Sequence, residues 1–254
     1  MSNHSDNKPV TPQASLAGSW TVQVRSEQPT GIPPGDAPRV RAPIDDNLSV
    51  DLGNGLTLYF ATPILRLIMP DAASINAGLR ATILQKARQD AGKVISNVGG
   101  WQSRNDLLEW GTPEIDTLKR WIADSVRQMA HLSSHFRTRP AGTTRFHAYA
   151  WANVNRDGHF NSMHLHPGEH WSGVYYVDPG EPDRAIPLNG VIEFPDPRPA
   201  ARAMPVPGFK FDGGLSVIPQ AGTLLLFPSW LEHGVTPYRG TGERISIAFN
   251  CTLA

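Results

Sequence analysis

The chain has 254 residues, enough for one large domain or two small ones around a sizeable core. Its 23 Lys and Arg are balanced by 23 Asp and Glu, so no summed field recruits nucleic acid or an anionic membrane surface, and a small-molecule or protein partner is the expectation. A single cysteine, Cys251, rules out an internal disulfide framework and any multi-cysteine metal site; it suits a reducing compartment, and a metal would have to be held by histidine and oxygen.

Residues 1–46 are rich in Pro, Gly, Ser, Asn and Asp without a sustained apolar period and read as a flexible tail, with "SWTVQV" as a possible short strand. The opening "MSNHSDNKPVTPQASLAG" has neither a basic start leading into an apolar run nor a bilayer-length span, which points to a cytoplasmic protein with no membrane partner. One domain is expected over 47–254, with a helical scaffold at about 71–137 and an all-β part at about 143–254.

Order is expected to begin at "LTLYFATPILRLIM", residues 56–69, interrupted by Pro63. A first helix follows Asp71 as N-cap, with Ile75, Leu79, Ile83 and Ala87 on one stripe. A second starts at Thr112, with Pro113 at the first helical position and Glu114 near the positive end of the dipole; its stripe is Ile115, Leu118, Ile122, Val126 and Met129. Between them Gly99, Gly100, Trp101 and Gln102 form a loop, read either as a lid or as a tight connection.

From about residue 143 short apolar runs alternate with Gly and Pro turns: "TRFHAYAWANVN", "FNSMHLH", "WSGVYYV", "NGVIEFPD", "GLSVIP", "GTLLLFPSW" and "ERISIAFNCTLA". Seven such runs without intervening helices indicate a mainly β fold with flanking helices, best suited to a jelly roll.

Strand alternation places His164 and His166 on one face at the end of "FNSMHLH", and the following Pro167 and Gly168 turn makes the pair the mouth of a hairpin. His233, after the strand "GTLLLF", is the third imidazole, and three imidazoles suit iron, zinc, copper or nickel. In "ERISIAFNC", Arg244, Ser246, Ala248 and Asn250 share a polar face while Ile245, Ile247, Phe249 and Cys251 share the apolar one, so Arg244 and Ser246 can grip a carboxylate. His147, Tyr149, Trp151 and Asn153 also share a face, which either borders the pocket or packs aromatic rings. Trp151 and Asn153 stand as substrate-side candidates with His170, which sits at the rim or on the surface; His159 is read as exposed, Trp230 as packing, and Cys251 as a buried small hydrophobe.

His-x-His, a distant His, and Arg-x-Ser eleven residues beyond it resemble the 2-oxoglutarate- and iron(II)-dependent oxygenases. More narrowly, "SNVGGWQS", "HLHPGEHWSGVYYV", "FPDPR" and "LLFPSWLEHGVTPYRGTGERISIAFN" are similar to one subfamily of these enzymes over roughly residues 57–254. The resemblance implies a double-stranded β-helix, a form of the cupin-like jelly roll. It further implies a dioxygenase that binds Fe(II), consumes O2 and the cosubstrate 2-oxoglutarate, releases succinate and CO2, and by default hydroxylates a small molecule or an amino-acid side chain.

Residue by residue, His164 becomes the first metal ligand, His233 the distal ligand, Arg244 and Ser246 the grip on the distal carboxylate of 2-oxoglutarate, and Tyr175 or its neighbour Tyr176 a further cosubstrate contact. The wider family has Asp or Glu two residues after the first histidine, where this chain has His166; the third ligand is therefore His166, or Glu169 swinging in from the turn. That departure keeps two other readings open, a three-histidine cupin-like dioxygenase or metallohydrolase that does not use 2-oxoglutarate, and a non-catalytic jelly-roll binding module.

Overall fold

The computed structural model describes residues 61–133, 145–199 and 214–254, together with two short paired strands, β1 (Val50–Asp51) and β2 (Thr57–Leu58). The tail expected over 1–46, with its possible strand, lies outside the described residues. In chain order the remaining elements are β3 (Leu65–Ile68), α1 (Ala72–Gln89), β4 (Asn97–Val98), β5 (Trp101–Gln102), a 3-10 turn (Leu107–Glu109), α2 (Pro113–Ser133), β6 (Phe146–Asn155), β7 (Phe160–His164), β8 (Trp171–Asp178), β9 (Glu181–Pro182), β10 (Ile192–Phe194), β11 (Leu215–Val217), β12 (Thr223–Pro228), β13 (His233–Val235), β14 (Gly240–Thr241) and β15 (Arg244–Leu253).

Two antiparallel sheets carry the fold: a major one in the order β3-β12-β8-β15-β6-β5 and a minor one in the order β11-β10-β13-β7-β4. This is the jelly roll that the strand count anticipated, in the double-stranded β-helix form that the resemblance implied. Its spine is the ten-residue ladder between β6 and β15, from Arg244 opposite Asn155 to Leu253 opposite Phe146.

The helices form because they have one face to bury. Thr112 caps α2 by accepting the Ile115 backbone N–H at 3.3 Å, and Glu114 and Asp116 lie in its first turn. All five residues of its expected stripe are buried, against the outer face of β15 (Ile245, Ile247, Phe249, Cys251) and of β6 (Ala150, Ala152, Val154). Full burial of each aliphatic side chain contributes about 1.5–3 kcal/mol, so the second helix is held by its tertiary face. In α1, Leu79 and Ile83 are buried in the same core, with Ile75 and Ala87 packed partly against it. Asp71 departs from expectation: it adopts a left-handed conformation (φ 52°) and makes no side-chain cap, and the Ser74 hydroxyl donates back to its carbonyl at 2.9 Å instead. A second, smaller core lies between the sheets, where Val174, Tyr176, Leu225 and Phe227 meet Ile192, Phe194 and Val217.

One connection differs from the sequence reading. β7 belongs to the minor sheet and β8 to the major one, so the Pro167–Gly168 turn is a crossing between sheets and not a hairpin. Of the two readings of Gly99 and Gly100, the tight connection is the one found: they carry the chain from β4 at one edge of the minor sheet to β5 at one edge of the major sheet. Both have positive φ (67° and 60°), and a Cβ at Gly99 would lie 2.3 Å from the His159 ring, so the crossing needs glycine. That ring is accordingly half-buried, not exposed, and its Nδ1 accepts the Arg156 N–H at 3.0 Å. Trp230, expected to pack, is 54% exposed.

Candidate metal centre

His164 ends β7 and His233 begins β13, and the two are direct cross-strand partners in the minor sheet. A register shift between His233 and Val235 re-aims the strand after the histidine. His166 lies beyond the end of β7, where its backbone N–H donates to the Ser229 carbonyl at 3.0 Å and so ties it to the loop after β12. One ring nitrogen from each of His164, His166 and His233 lies within 4.8 Å of the others. The Nε2 atoms of His166 and His233 are 3.3 Å apart. A metal about 2.0–2.1 Å from two imidazole nitrogens sets them about 3.0–3.4 Å apart, so this pair already has the required spacing.

Protonation also fits. His164 Nδ1 lies 2.7 Å from the Ser162 carbonyl and His233 Nδ1 lies 2.8 Å from the Leu231 carbonyl. Only an N–H is satisfied there, which leaves Nε2 of both rings as a bare lone pair. Burial lowers the pKa of His164 despite the Ser162 carbonyl; it lowers His166 to about 4, with His164 adding to the effect and Glu169 opposing it. Burial and then His164 take His233 to about 3. Neutral imidazoles are what a metal requires.

Glu169, the alternative third ligand, is engaged elsewhere: its Oε1 accepts from the Tyr149 hydroxyl at 3.0 Å and its Oε2 from the Thr252 hydroxyl. It is not among the residues whose ligand atoms converge.

The three histidines line a common cavity. Arg244 and Ser246 line it from β15, Trp151 and Asn153 from β6, and Tyr176 from β8. Arg244 is only 1% exposed. Its Nε donates to the Gly190 carbonyl at 3.0 Å and its guanidinium sits 5.5 Å from the Tyr176 ring centre, while among the described residues it forms no ion pair. Burial lowers its pKa, opposed by Tyr176 and Tyr238. A buried cation without a carboxylate partner is costly, and a carboxylate ligand would supply one. The Tyr176 hydroxyl and Asn153 Oδ1 are also buried with no hydrogen-bond partner, so the wall near Arg244 offers both a donor and an acceptor to a ligand.

Of the residues expected at the site, His164, His166, His233, Arg244, Ser246, Trp151 and Asn153 converge on this cavity. Tyr175 does not: its hydroxyl donates to Asn76 Oδ1 of α1 at 2.6 Å and its ring packs on Trp121, on the helical side of the sheet. Tyr176 takes the inward position. Ser172 shares its parity and marks the cavity face of β8, a signal the sequence held. His170 is exposed at the sheet end, where its Nδ1 accepts the Leu253 N–H at 2.9 Å, and it does not line the cavity. His147 is exposed, whereas Tyr149 is part of the network behind His166. Cys251 is fully buried in the helical-side core, its thiol pushed up to about 12 by burial. Phe227 and Phe194, which the sequence did not single out, flank the His233 ring at centre distances of 4.8 and 5.9 Å.

Comparison with known proteins agrees with this arrangement. A family model described as "Putative 2OG-Fe(II) oxygenase" matches residues 149–250, which contain all three histidines, Arg244 and Ser246. Among solved structures, a prolyl-4-hydroxylase from Pseudomonas putida is similar over 76% of this chain and 93% of its own, at 15% identity and a TM-score of 0.51. A Trichoplax adhaerens prolyl hydroxylase, solved in complex with a hypoxia inducible factor oxygen degradation domain peptide, is similar over 76% of this chain and 84% of its own, at 15% identity and a TM-score of 0.54. At that identity the likeness establishes the shared fold. No curated protein matches the chain significantly.

Proposed function

We propose that the chain is a 2OG-Fe(II) oxygenase in which His164, His166 and His233 hold the iron, Arg244 and Ser246 hold the distal carboxylate of 2-oxoglutarate, and a C–H bond of a small molecule or amino-acid side chain is hydroxylated; the family-model match over residues 149–250 supports this reading. The observation that carries this reading is the pairing, across one cavity, of three converging neutral imidazoles with a buried guanidinium that has no acidic partner among the described residues. The reaction balances as R–H + O2 + 2-oxoglutarate → R–OH + succinate + CO2, and the metal, when bound, supplies the activation of O2 that makes it possible.

The chain's own contribution is placement. Arg244 fixes one end of the cosubstrate by charge-assisted hydrogen bonds, and the Tyr176 hydroxyl gives it a second donor. The cross-strand pairing of His164 and His233 holds two ligands on rigid backbone. Trp151 and Asn153, next to Ala248 and Ser246 across the β6–β15 ladder, present the substrate side of the cavity, Asn153 with an unmet acceptor. Among the described residues no helix is long and apolar enough to cross a membrane. The lone, buried thiol suits the reducing cytoplasm as the working compartment.

The test is to mix protein, Fe²⁺ and 2-oxoglutarate anaerobically, record the charge-transfer band, then admit O2 and measure succinate. A band followed by stoichiometric succinate is expected. Metal-loaded, folded protein that gives neither would refute cosubstrate use and favour a three-histidine site working without it.

A further inference from the structure

Position 166 is where this chain departs from the carboxylate of the wider family, and the surroundings of His166 are unlike those of the other two imidazoles. His164 and His233 each address a backbone carbonyl through Nδ1, whereas His166 Nδ1 faces the side-chain amide of Asn250, 3.2 Å from Nδ2. We propose that Asn250 is a positioning residue for the metal centre: its amide fixes the plane and tautomer of His166 in the metal-free protein and turns over when a metal binds. This rests on the three-histidine reading above.

The orientation of the amide follows from its neighbours. Asn250 is buried on the cavity-facing side of β15, beside Tyr149 of β6 and Ser172 of β8. The Tyr149 hydroxyl has one proton and gives it to Glu169 Oε1 at 3.0 Å, so toward Asn250 it can only accept, and Asn250 Nδ2 donates to it at 2.9 Å. The Ser172 hydroxyl donates to Asn250 Oδ1 at 2.8 Å. With the NH2 end so placed, the ring nitrogen it meets must be an acceptor. His166 then carries its proton on Nε2, which faces the bare Nε2 of His233 at 3.3 Å, and the network closes without a metal.

The resulting tautomer is opposite to that of His164 and His233. A metal needs the Nε2 lone pair of all three rings. For His166 the proton must move from Nε2 to Nδ1, with no net gain or loss of charge, and Nδ1–H then needs an acceptor. Rotating the Asn250 amide by half a turn presents Oδ1. The Ser172 hydroxyl accepts as well as donates, so the rotated amide keeps it as a partner, whereas the Tyr149 hydroxyl must turn its one proton from Glu169 to Oδ1 to keep its own contact. A backbone carbonyl, as used by His164 and His233, has no such second state.

Two measurements test this, both with Zn²⁺ as a diamagnetic probe and neither dependent on turnover. In protein labelled with 15N-histidine, long-range 1H–15N spectra should show His166 as the Nε2–H tautomer without metal and as Nδ1–H with Zn²⁺, while His164 and His233 are Nδ1–H in both states. An unchanged His166 tautomer would overturn the proposal. In competition with a chromophoric chelator, Asn250→Ala should bind Zn²⁺ about 10-fold more weakly than wild type. Asn250→Asp, which can only accept and so presets the Nδ1–H form, should bind at least as tightly as wild type. Equal weakening in both variants, with unchanged circular dichroism, would reduce Asn250 to packing and sink the proposal; so would no change in either. Failure of wild type to bind Zn²⁺ through His164 and His233 would overturn the metal reading itself, which separates the two.

Discussion

Arg244→Met isolates the cosubstrate grip from everything else at the site. Methionine keeps an unbranched stem over the Tyr176 ring and deletes the buried charge. The Nε–H to Gly190 bond is lost at about 1 kcal/mol, but so is the cost of a guanidinium with no acidic partner among the described residues, so the melting temperature should move by only a few degrees. Toward 2-oxoglutarate the loss is larger. Two charge-assisted hydrogen bonds at about 1.5–3 kcal/mol each amount to at least about 3 kcal/mol, or roughly 100-fold in Kd. The imidazoles stand on β7, β13 and the segment after β7, none of which contributes to the Arg244 contacts, so metal affinity should be unchanged. Anaerobic calorimetry of 2-oxoglutarate into Mn²⁺-loaded wild type and variant reads the difference directly. A folded, metal-loaded Arg244→Met protein that binds 2-oxoglutarate within threefold of wild type would refute the assignment of the guanidinium to the distal carboxylate.

Tyr176→Phe removes a buried hydroxyl with no partner, so it should leave stability unchanged or raised and weaken 2-oxoglutarate about 10-fold; Tyr175→Phe removes the bond to Asn76, costing about 1 kcal/mol in urea denaturation and nothing in cosubstrate affinity. The reverse pattern would return the inward role to Tyr175. Glu169→Gln should retain stoichiometric metal by elemental analysis, because its carboxylate is bound to Tyr149 and Thr252; metal loss comparable to that of His233→Ala would make Glu169 the third ligand after all. The pKa values of His166 (about 4) and His233 (about 3) lie below the ordinary 6.5, so between pH 6.5 and about 4 the unfolded chain binds protons that the folded chain refuses, and stability falls with pH. The slope is on the order of 1 kcal/mol per pH unit for buried His233 and less for half-buried His166, where solvent screens the charge. Denaturation of metal-free protein at pH 8.0, 7.0 and 5.0 should show little loss in the first interval and a clear loss in the second; a flat profile would contradict the buried neutral rings.

What the sequence made legible were the elements with one buried and one distinct face. The α2 stripe and the alternation in β15 each divide residues by side, and both divisions hold, so the polar face of Arg244 and Ser246, which on sequence grounds lines a cavity or faces water, is the face that lines the cavity. β8 is buried on both faces, so alternation carried no hydrophobic contrast and could not choose between Tyr175 and Tyr176. A six-residue connection between strands looks the same whether it closes a hairpin or crosses between sheets, and the distinction at Pro167–Gly168 lies in pairings tens of residues away, of β7 with β13 and of β8 with β12 and β15. β13, three residues with a central glycine, is too short to show a period. Asp71 failed as a cap for a local reason: with φ at 52° it makes no side-chain hydrogen bond to the first turn of α1.

The departure at position 166 reads differently once its neighbours are known. A carboxylate there would have brought a negative charge into the ligand set and accepted the Asn250 amide protons without further support. With imidazole in that place the negative charge is displaced, not abolished: Glu169 sits behind His166, and its field reaches the ring strongly enough to oppose the effect of burial. The carboxylate is held there by the Tyr149 and Thr252 hydroxyls, and Tyr149 and Asn250 link it to the imidazole. The same links cross from the minor-sheet side, where the histidines are, to β6 and β15 of the major sheet, which carry Trp151 and Asn153 and Arg244 and Ser246. Among the described residues, His166 is the one imidazole of the three whose ring nitrogen meets a side chain of the major sheet, so a change behind it at Asn250 reaches its ring without touching the Nδ1 contacts of His164 or His233.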